Sequence, residues 1–270
     1  MATSFTINTF SWIWTHRIGD CMARLADAGH TTFEVITTPG HLWPSELDAG
    51  ARRELGRSMA ARGLSFTSLN PGGFDNNLAS PSSEMRAHTH RYIAALIELA
   101  AEWGVPGIVI SPGLPRPLQP APRDRMMGWL RESLDRLVPA AEKAGTQLLF
   151  ENIPYTWIPR ACDLMAALDE LGYGDGLALI YDAANAVFAR DDPMADLRLV
   201  QPRMKLVHIS DTGLDAFRHD PVGRGVVPFR EIGETLRAIG YAGPVVLEVI
   251  SPEPDTDFPD SIRRLRAMGW

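Results

Sequence analysis

Four residues in the second half of the chain share one local pattern. Glu151 sits in QLLFEN, Asp182 in LALIYD, His208 in KLVHIS and Glu248 in VVLEVI. Each follows at least two apolar residues. A carboxylate in such a run is poorly hydrated and costly unless something compensates its charge. Three carboxylates beside one imidazole would repel one another when ionised. A divalent cation resolves the conflict, and carboxylate oxygens with one imidazole nitrogen suit Mn2+, Mg2+, Co2+ or Zn2+. The expected site is one metal ion held by Glu151, Asp182, His208 and Glu248, with Mn2+ the first choice. Each residue also has a plainer reading. Glu151 and Glu248 could form salt bridges at a rim, Asp182 could cap the turn that follows it, and His208 could be a hydrogen-bonded core histidine. Agreement in position and ligand type across four neighbouring segments favours the metal.

These segments need a scaffold that brings them together. Short apolar or β-branched runs recur at 5–9, 32–37, 65–70, 107–111, 147–152, 177–182, 205–210 and 245–250, each of strand length. Helical periodicity fills the gaps at 20–28, 47–62, 83–103, 125–143, 161–171, 193–200, 229–239 and 260–268, mostly with glycine just past the last turn. Alternating strands and helices imply parallel strands joined by right-handed crossovers. Eight such units predict an α/β fold, a single (β/α)8 TIM barrel over residues 1–270. A doubly wound sheet is the runner-up, but the first strand lacks the G-x-G-x-x-G turn and no phosphate-binding G-x-x-x-x-G-K-[ST] occurs. The proline-rich stretch 111–123 reads as a long loop at the barrel mouth. Active sites of such barrels lie at the C-terminal ends of the strands, where all four candidate ligands fall.

Bulk composition bounds the function. The 270 residues are 45% hydrophobic and carry a formal net charge of -7, which argues against a duplex-binding protein. Two cysteines, Cys21 and Cys162, form no C-x-x-C pair and read as reduced thiols. No run approaches the roughly 18 apolar residues of a membrane span. The N-terminal MATSFTINTFSWIW does not read as a secretory signal, so the cytoplasm is the expected location.

The segment after the seventh strand is the most specific part of the sequence. It runs His208-Ile-Ser-Asp211-Thr-Gly-Leu-Asp215-Ala-Phe-Arg218-His219 and continues Pro221-Val-Gly223-Arg-Gly225. It resembles the H-x-x-D … D … H … P-x-G-x-G segment of the sugar phosphate isomerase/epimerase superfamily, the xylose-isomerase-like TIM barrels. That superfamily takes in ketose 3-epimerases, hydroxypyruvate isomerase and inosose dehydratase, with endonuclease IV a distant relative. The resemblance covers nearly the whole chain. Phe33-Glu34-Val35 is similar to its second strand, and Asn70-Pro71-Gly72 with the helix entry before Arg91-Tyr92-Ile93 to its third unit.

The resemblance implies a metal-dependent isomerase or epimerase of a small keto-sugar. Glu151 and Glu248 would face each other across the substrate and move a proton through a metal-stabilised enediolate. Ligand carboxylates can also act as bases, so the chemistry of the residues agrees. A lyase of the inosose dehydratase type is the alternative on the same site. Asp211, Arg218 and His219 would reach substrate hydroxyls, with Glu34 and His41 weaker candidates. Trp12, Trp14, Phe74 and Trp157, which follow strands, could stack on sugar C–H faces. One position departs from the pattern: many relatives carry histidine where this chain has Asn185, which can hydrogen-bond a hydroxyl but cannot act as a charged acid. The expected partner is a small sugar-like molecule, with neither nucleic acid nor membrane. Homo-oligomers are common among such barrels, although no interface stripe is readable.

Overall fold

The computed structural model describes residues 4–72 and 75–270. Eight parallel strands close into a barrel in sequential order. They are β1 (Phe5–Asn8), β2 (Thr32–Ile36), β3 (Ser65–Asn70), β4 (Gly107–Ile110), β5 (Gln147–Glu151), β6 (Leu177–Asp182), β7 (Met204–Ile209) and β8 (Val245–Leu247). Closure is made by β1 against β8, with Phe5 opposite Val245 and Ile7 opposite Leu247. The outer ring consists of α1 (Ile18–Asp27), α2 (Ala49–Ala61), α3 (Ser83–Trp103), α4 (Arg123–Ala144), α5 (Ala161–Leu171), α6 (Ala183–Phe188), α7 (Pro193–Val200), α8 (Phe229–Ala238) and α9 (Pro254–Ala267).

Side chains alternate between the two faces of a strand, so every second residue points into the barrel. The inner set includes Val109, Leu149, Ala178, Ile180, Leu206 and Val246, a packed cluster separate from the main core. The main core lies between strands and helices, with Ile7, Phe33, Leu69, Phe150 and Val207 among its fully buried members. Parity then places the polar residues. Glu151 is two residues beyond Leu149, Asp182 two beyond Ile180, His208 two beyond Leu206 and Glu248 two beyond Val246. All four therefore emerge inside the barrel, one layer above the apolar plug.

Helix ends follow local chemistry. Asp48 accepts a hydrogen bond from the Ala51 N–H and Ser82 one from the Met85 N–H, each satisfying a donor of the first turn. Gly104 and Gly145 end the two longest helices in left-handed conformation, where a side chain would be strained. Three elements differ from the sequence expectation. The last helix begins at Pro254, six residues earlier than expected, because Pro254 occupies its first turn, where no N–H is needed, and Pro259 is accommodated within it. The segment after Asp182 forms the short helix α6 rather than a bare turn. The strand expected over 245–250 ends at Leu247, which leaves Glu248 at the start of the following loop. Among the described residues, no helix is long and apolar enough to cross a membrane.

Candidate metal centre and its cavity

Strand ends β5 to β8 deliver the four residues to one point. One ligand atom from each of Glu151, Asp182, His208 and Glu248 lies within 4.8 Å of the others, and all four residues are buried. Their order around the barrel follows the strand register, with Asp182 directly opposite His208. Nδ1 of His208 lies 3.0 Å from Oε2 of Glu248, 3.5 Å from Oε1 of Glu151 and 3.9 Å from Oδ2 of Asp182. The Asp182 carboxylate divides its work. Oδ1 accepts the Asn185 N–H at 2.6 Å and caps α6. Oδ2 is buried and finds no donor among the described residues. Asn152 fixes the strand end beneath it, donating to the Asp182 carbonyl at 2.9 Å and accepting its N–H at 2.7 Å.

The electrostatics match a site made for a cation. Burial pushes the Glu151 carboxyl up. Burial, with Glu248 and Glu151 nearby, pushes the Asp182 carboxyl well above the usual range. For His208, burial works against the charge, but Glu34 and Glu248 overcome it and hold the imidazole pKa well above its ordinary value. The Glu248 carboxyl is opposed by burial yet lowered to about 2, chiefly by His208 and His219. Uncompensated by a metal, the cluster leans on one imidazolium for positive charge. Three carboxylates, one imidazole and an unpartnered carboxylate oxygen are a donor set that fits a divalent ion.

The centre opens onto a cavity of about 160 Å³, lined by Phe10, Asn70, Ile153, Phe217 and Ile250 together with Glu151, Asn185, His219 and Glu248. Asn185 donates through Nδ2 to Oε1 of Glu151 at 3.3 Å, and its buried Oδ1 finds no partner among the described residues. His219 places Nδ1 3.6 Å from Oε2 of Glu248 and 3.0 Å from the Ser210 hydroxyl, and burial lowers its pKa.

Other expected contacts lie elsewhere. Asp211 is buried, but its carboxylate accepts the N–H groups of Thr212, Gly223 and Val227, so it ties a loop and does not face the cavity. Arg218 is exposed and is not among the described residues that line the cavity. Trp12 is 2% exposed and packs on Phe258 at 5.0 Å, deep in the core. Trp14 is 82% exposed and lines no part of the cavity. Trp157 donates its Nε1–H to the Pro112 carbonyl at 2.7 Å and walls a neighbouring depression under the 111–123 loop. Phe74 lies outside the described residues. His41 faces the His16 carbonyl and the Thr9 hydroxyl, away from the cavity.

Sequence reasoning undervalued the opposite half of the barrel. Glu34, on β2, is fully buried and accepts hydrogen bonds from Asn8 Nδ2 and Ser68 Oγ, both at 2.6 Å. Its Oε2 stands 3.1 Å from Nε2 of His208. Asn8 also donates to Oε1 of Glu248 at 3.2 Å. The available signal was inward parity: Asn8, Glu34 and Asn70 end or nearly end β1, β2 and β3, as Glu151, Asp182, His208 and Glu248 stand at or near the ends of β5 to β8.

Comparison with known proteins agrees with this geometry. The chain is 28% identical over 180 residues to an L-ribulose-5-phosphate 3-epimerase of Salmonella paratyphi A, an alignment covering 64% of this chain and 60% of that protein. It therefore spans about three-fifths of the length of that curated relative. A solved structure described as a D-tagatose 3-epimerase-like protein superposes with a TM-score of 0.83 at 20% identity, over 98% of this chain and 97% of the other. The apo form of a 3-keto-D-glucoside 4-epimerase from E. coli superposes with a TM-score of 0.81 at 22% identity, over 98% and 100% of the two chains. The family model for the xylose isomerase-like TIM barrel matches residues 22–268, and the chain belongs to that family.

Proposed function

We propose that the protein is a divalent-metal-dependent isomerase or epimerase of a small keto-sugar, with Glu151 and Glu248 as the groups that move protons. One observation carries the reading: three carboxylates and an imidazole converge within 4.8 Å at the floor of a sugar-sized cavity. Glu151, Asp182, His208 and Glu248 would hold the ion. Mn2+ is the first choice, with Mg2+, Co2+ and Zn2+ compatible with the same donors. A divalent ion there would withdraw charge from a substrate carbonyl and acidify the neighbouring C–H bond.

The chain's own residues supply the rest. Glu151, the last residue of β5, and Glu248, just past the end of β8, both line the cavity. One can take a proton from a substrate carbon while the other returns one to the opposite face or to the adjacent carbon. The free Oδ1 of Asn185 can accept a substrate hydroxyl, and His219 can reach a second one. Burial of the cluster excludes bulk water, which strengthens each of these contacts. The name of the ribulose-phosphate relative and the solved keto-sugar epimerases support a keto-sugar as the substrate class.

The test is solvent isotope exchange. Protein loaded with Mn2+ and incubated in D2O with a panel of ketoses should incorporate deuterium at the carbon next to the carbonyl. Glu151→Gln and Glu248→Gln should each slow that exchange by about 10²-fold or more, the usual contribution of a positioned acid or base. Absence of exchange with every ketose would defeat the proposal. A product lighter by one water would replace it with the dehydratase reading.

A further inference from the structure

Resting on the keto-sugar reading above, we infer that the substrate is uncharged and carries a ring substituent, as in a keto-glycoside, and that the ring lies on an aromatic face formed by Phe217 and Tyr155 at the cavity mouth.

The first observation is the character of the lining. Around the four-residue cluster it is anionic, through Glu151 and Glu248, and the rest mixes apolar Phe10, Ile153, Phe217 and Ile250 with polar Asn70, Asn76, Ser111, Asn185 and His219. Neither lysine nor arginine is among the described residues of the lining, and the two undescribed positions beside Gly72 are glycine and phenylalanine. A phosphate gains its binding from charge-assisted hydrogen bonds to arginine, lysine or clustered N–H groups. In this cavity it would meet carboxylates, neutral amides and hydrocarbon, with neither arginine nor lysine among the described lining.

The second observation is a continuous set of rings leading outward. His219 meets the edge of Phe217 at 5.2 Å between centroids. Phe217 packs on Phe188 at 5.4 Å and meets Tyr155 edge-on at 5.9 Å. Tyr155 is 61% exposed and touches the cavity-lining Phe217 from its solvent side.

The third observation is strain at that exposed ring. Tyr155 has φ of 72°, in the left-handed region that large side chains avoid. Such a conformation persists only where the surroundings impose it, and it gathers at ligand sites. An exposed tyrosine gives the fold little in return. Size points the same way. A cavity of about 160 Å³ is well below the roughly 300 Å³ at which pockets for larger ligands begin, so it admits one small sugar. Any further ring must lie over the mouth, where Phe217 and Tyr155 stand.

Calorimetric titration of the Mn2+-loaded protein tests this with methyl and phenyl 3-keto-β-D-glucopyranosides, and with D-ribulose and its 5-phosphate. The phenyl glycoside should bind about fivefold to tenfold more tightly than the methyl one, the scale of one aromatic contact. Tyr155→Gly should erase that ratio while leaving the methyl compound within about twofold. Glycine accepts the left-handed backbone, so this variant should unfold at the same temperature or higher. Phe217→Ala should erase the ratio as well. D-ribulose 5-phosphate should bind no more tightly than D-ribulose. The inference is overturned if the phenyl ring adds nothing, if the ratio survives both substitutions, or if phosphate tightens binding tenfold. Deuterium exchange into a plain ketose would in that case leave the proposed function standing. A phenyl preference without exchange into any ketose would remove the function and keep the aromatic face.

Discussion

Oε2 of Glu34 and Nε2 of His208 lie 3.1 Å apart, both side chains fully buried, with the four-residue cluster on the far side of the ring. The pair settles the orientation of the imidazole. The contact holds the Nε2 edge of the ring against Glu34 and leaves Nδ1 facing Glu151, Asp182 and Glu248. Glu34 is itself fixed by Asn8 and Ser68. Its place is behind His208, and in the proposed metal site a carboxylate there would hold the histidine in one tautomer and raise its basicity.

Replacement of Glu34 should therefore weaken metal binding without touching a ligand. Glu34→Ala is expected to lower affinity for Mn2+ by roughly 10- to 100-fold, the usual range for loss of such a partner. Glu34→Gln keeps the shape and should fall between Ala and the parent. Competition against a chelating dye reads the affinity directly, and unchanged binding in both variants would show that His208 is oriented by other means.

Metal affinity should fall as pH falls. Burial raises the pKa of Glu151, and burial with neighbouring carboxylates raises that of Asp182 well above the ordinary value. His208 is likewise raised, against burial, by Glu34 and Glu248. A raised pKa means that each group still holds its proton at a pH where a free counterpart has lost it. A cation must displace those protons, so binding releases them and weakens with acidity. Titrations at constant ionic strength in buffers of different ionisation enthalpy count the protons. Near neutral pH the count should be at least one, and a count of zero with pH-independent affinity would contradict the raised values.

The four-residue cluster was legible in the sequence because period two and an apolar prefix work together. A polar residue two positions beyond a barrel-filling Leu149, Ile180, Leu206 or Val246 can point only inward. The first half of the barrel gave a weaker signal. Inward Asn8, Glu34 and Asn70 are polar, but β3 is polar along much of its length and β2 shifts register between Phe33 and Glu34, so no common prefix marks them. Distance along the chain hid the rest. Whether an aromatic after a strand faces the cavity or the core depends on the loop path. Trp12 turns inward to Phe258, Trp14 outward to solvent, and Phe217 reaches the cavity from a loop whose local sequence carries no period.

Asn185 should act in substrate binding rather than in proton transfer. Its Nδ2 is engaged by Glu151, the residue lines the cavity, and its buried Oδ1 finds no donor among the described residues. An unpaired buried acceptor is costly until a ligand hydroxyl fills it. Asn185→Ala should raise KM by about tenfold, the worth of one such hydrogen bond, with a smaller effect on kcat. Steady-state kinetics on whichever ketose exchanges deuterium would separate the two. A loss confined to kcat would place Asn185 in the chemistry of the reacting carbon.

Asp211 offers the sharpest contrast between a structural and a substrate role. It is 1% exposed, and its two oxygens accept three backbone N–H groups, from Thr212 at 3.0 Å, Gly223 at 2.8 Å and Val227 at 3.1 Å. Its own backbone pairs in both directions with Asp220, the residue after His219. The carboxylate thus closes the loop that carries His219 to the cavity. Asp211→Ala would leave three N–H groups unpaired, and each buried one costs about 1–3 kcal/mol unless water enters. With partial relaxation the loss should be about 3 kcal/mol, read as a lowered denaturation midpoint with unchanged m. KM should rise too, because His219 is no longer held beside Glu248. Both effects should appear together, and Asp211→Asn should show each in milder form, since its amide oxygen still accepts. A variant with native stability and a raised KM would mean that Asp211 meets the substrate itself.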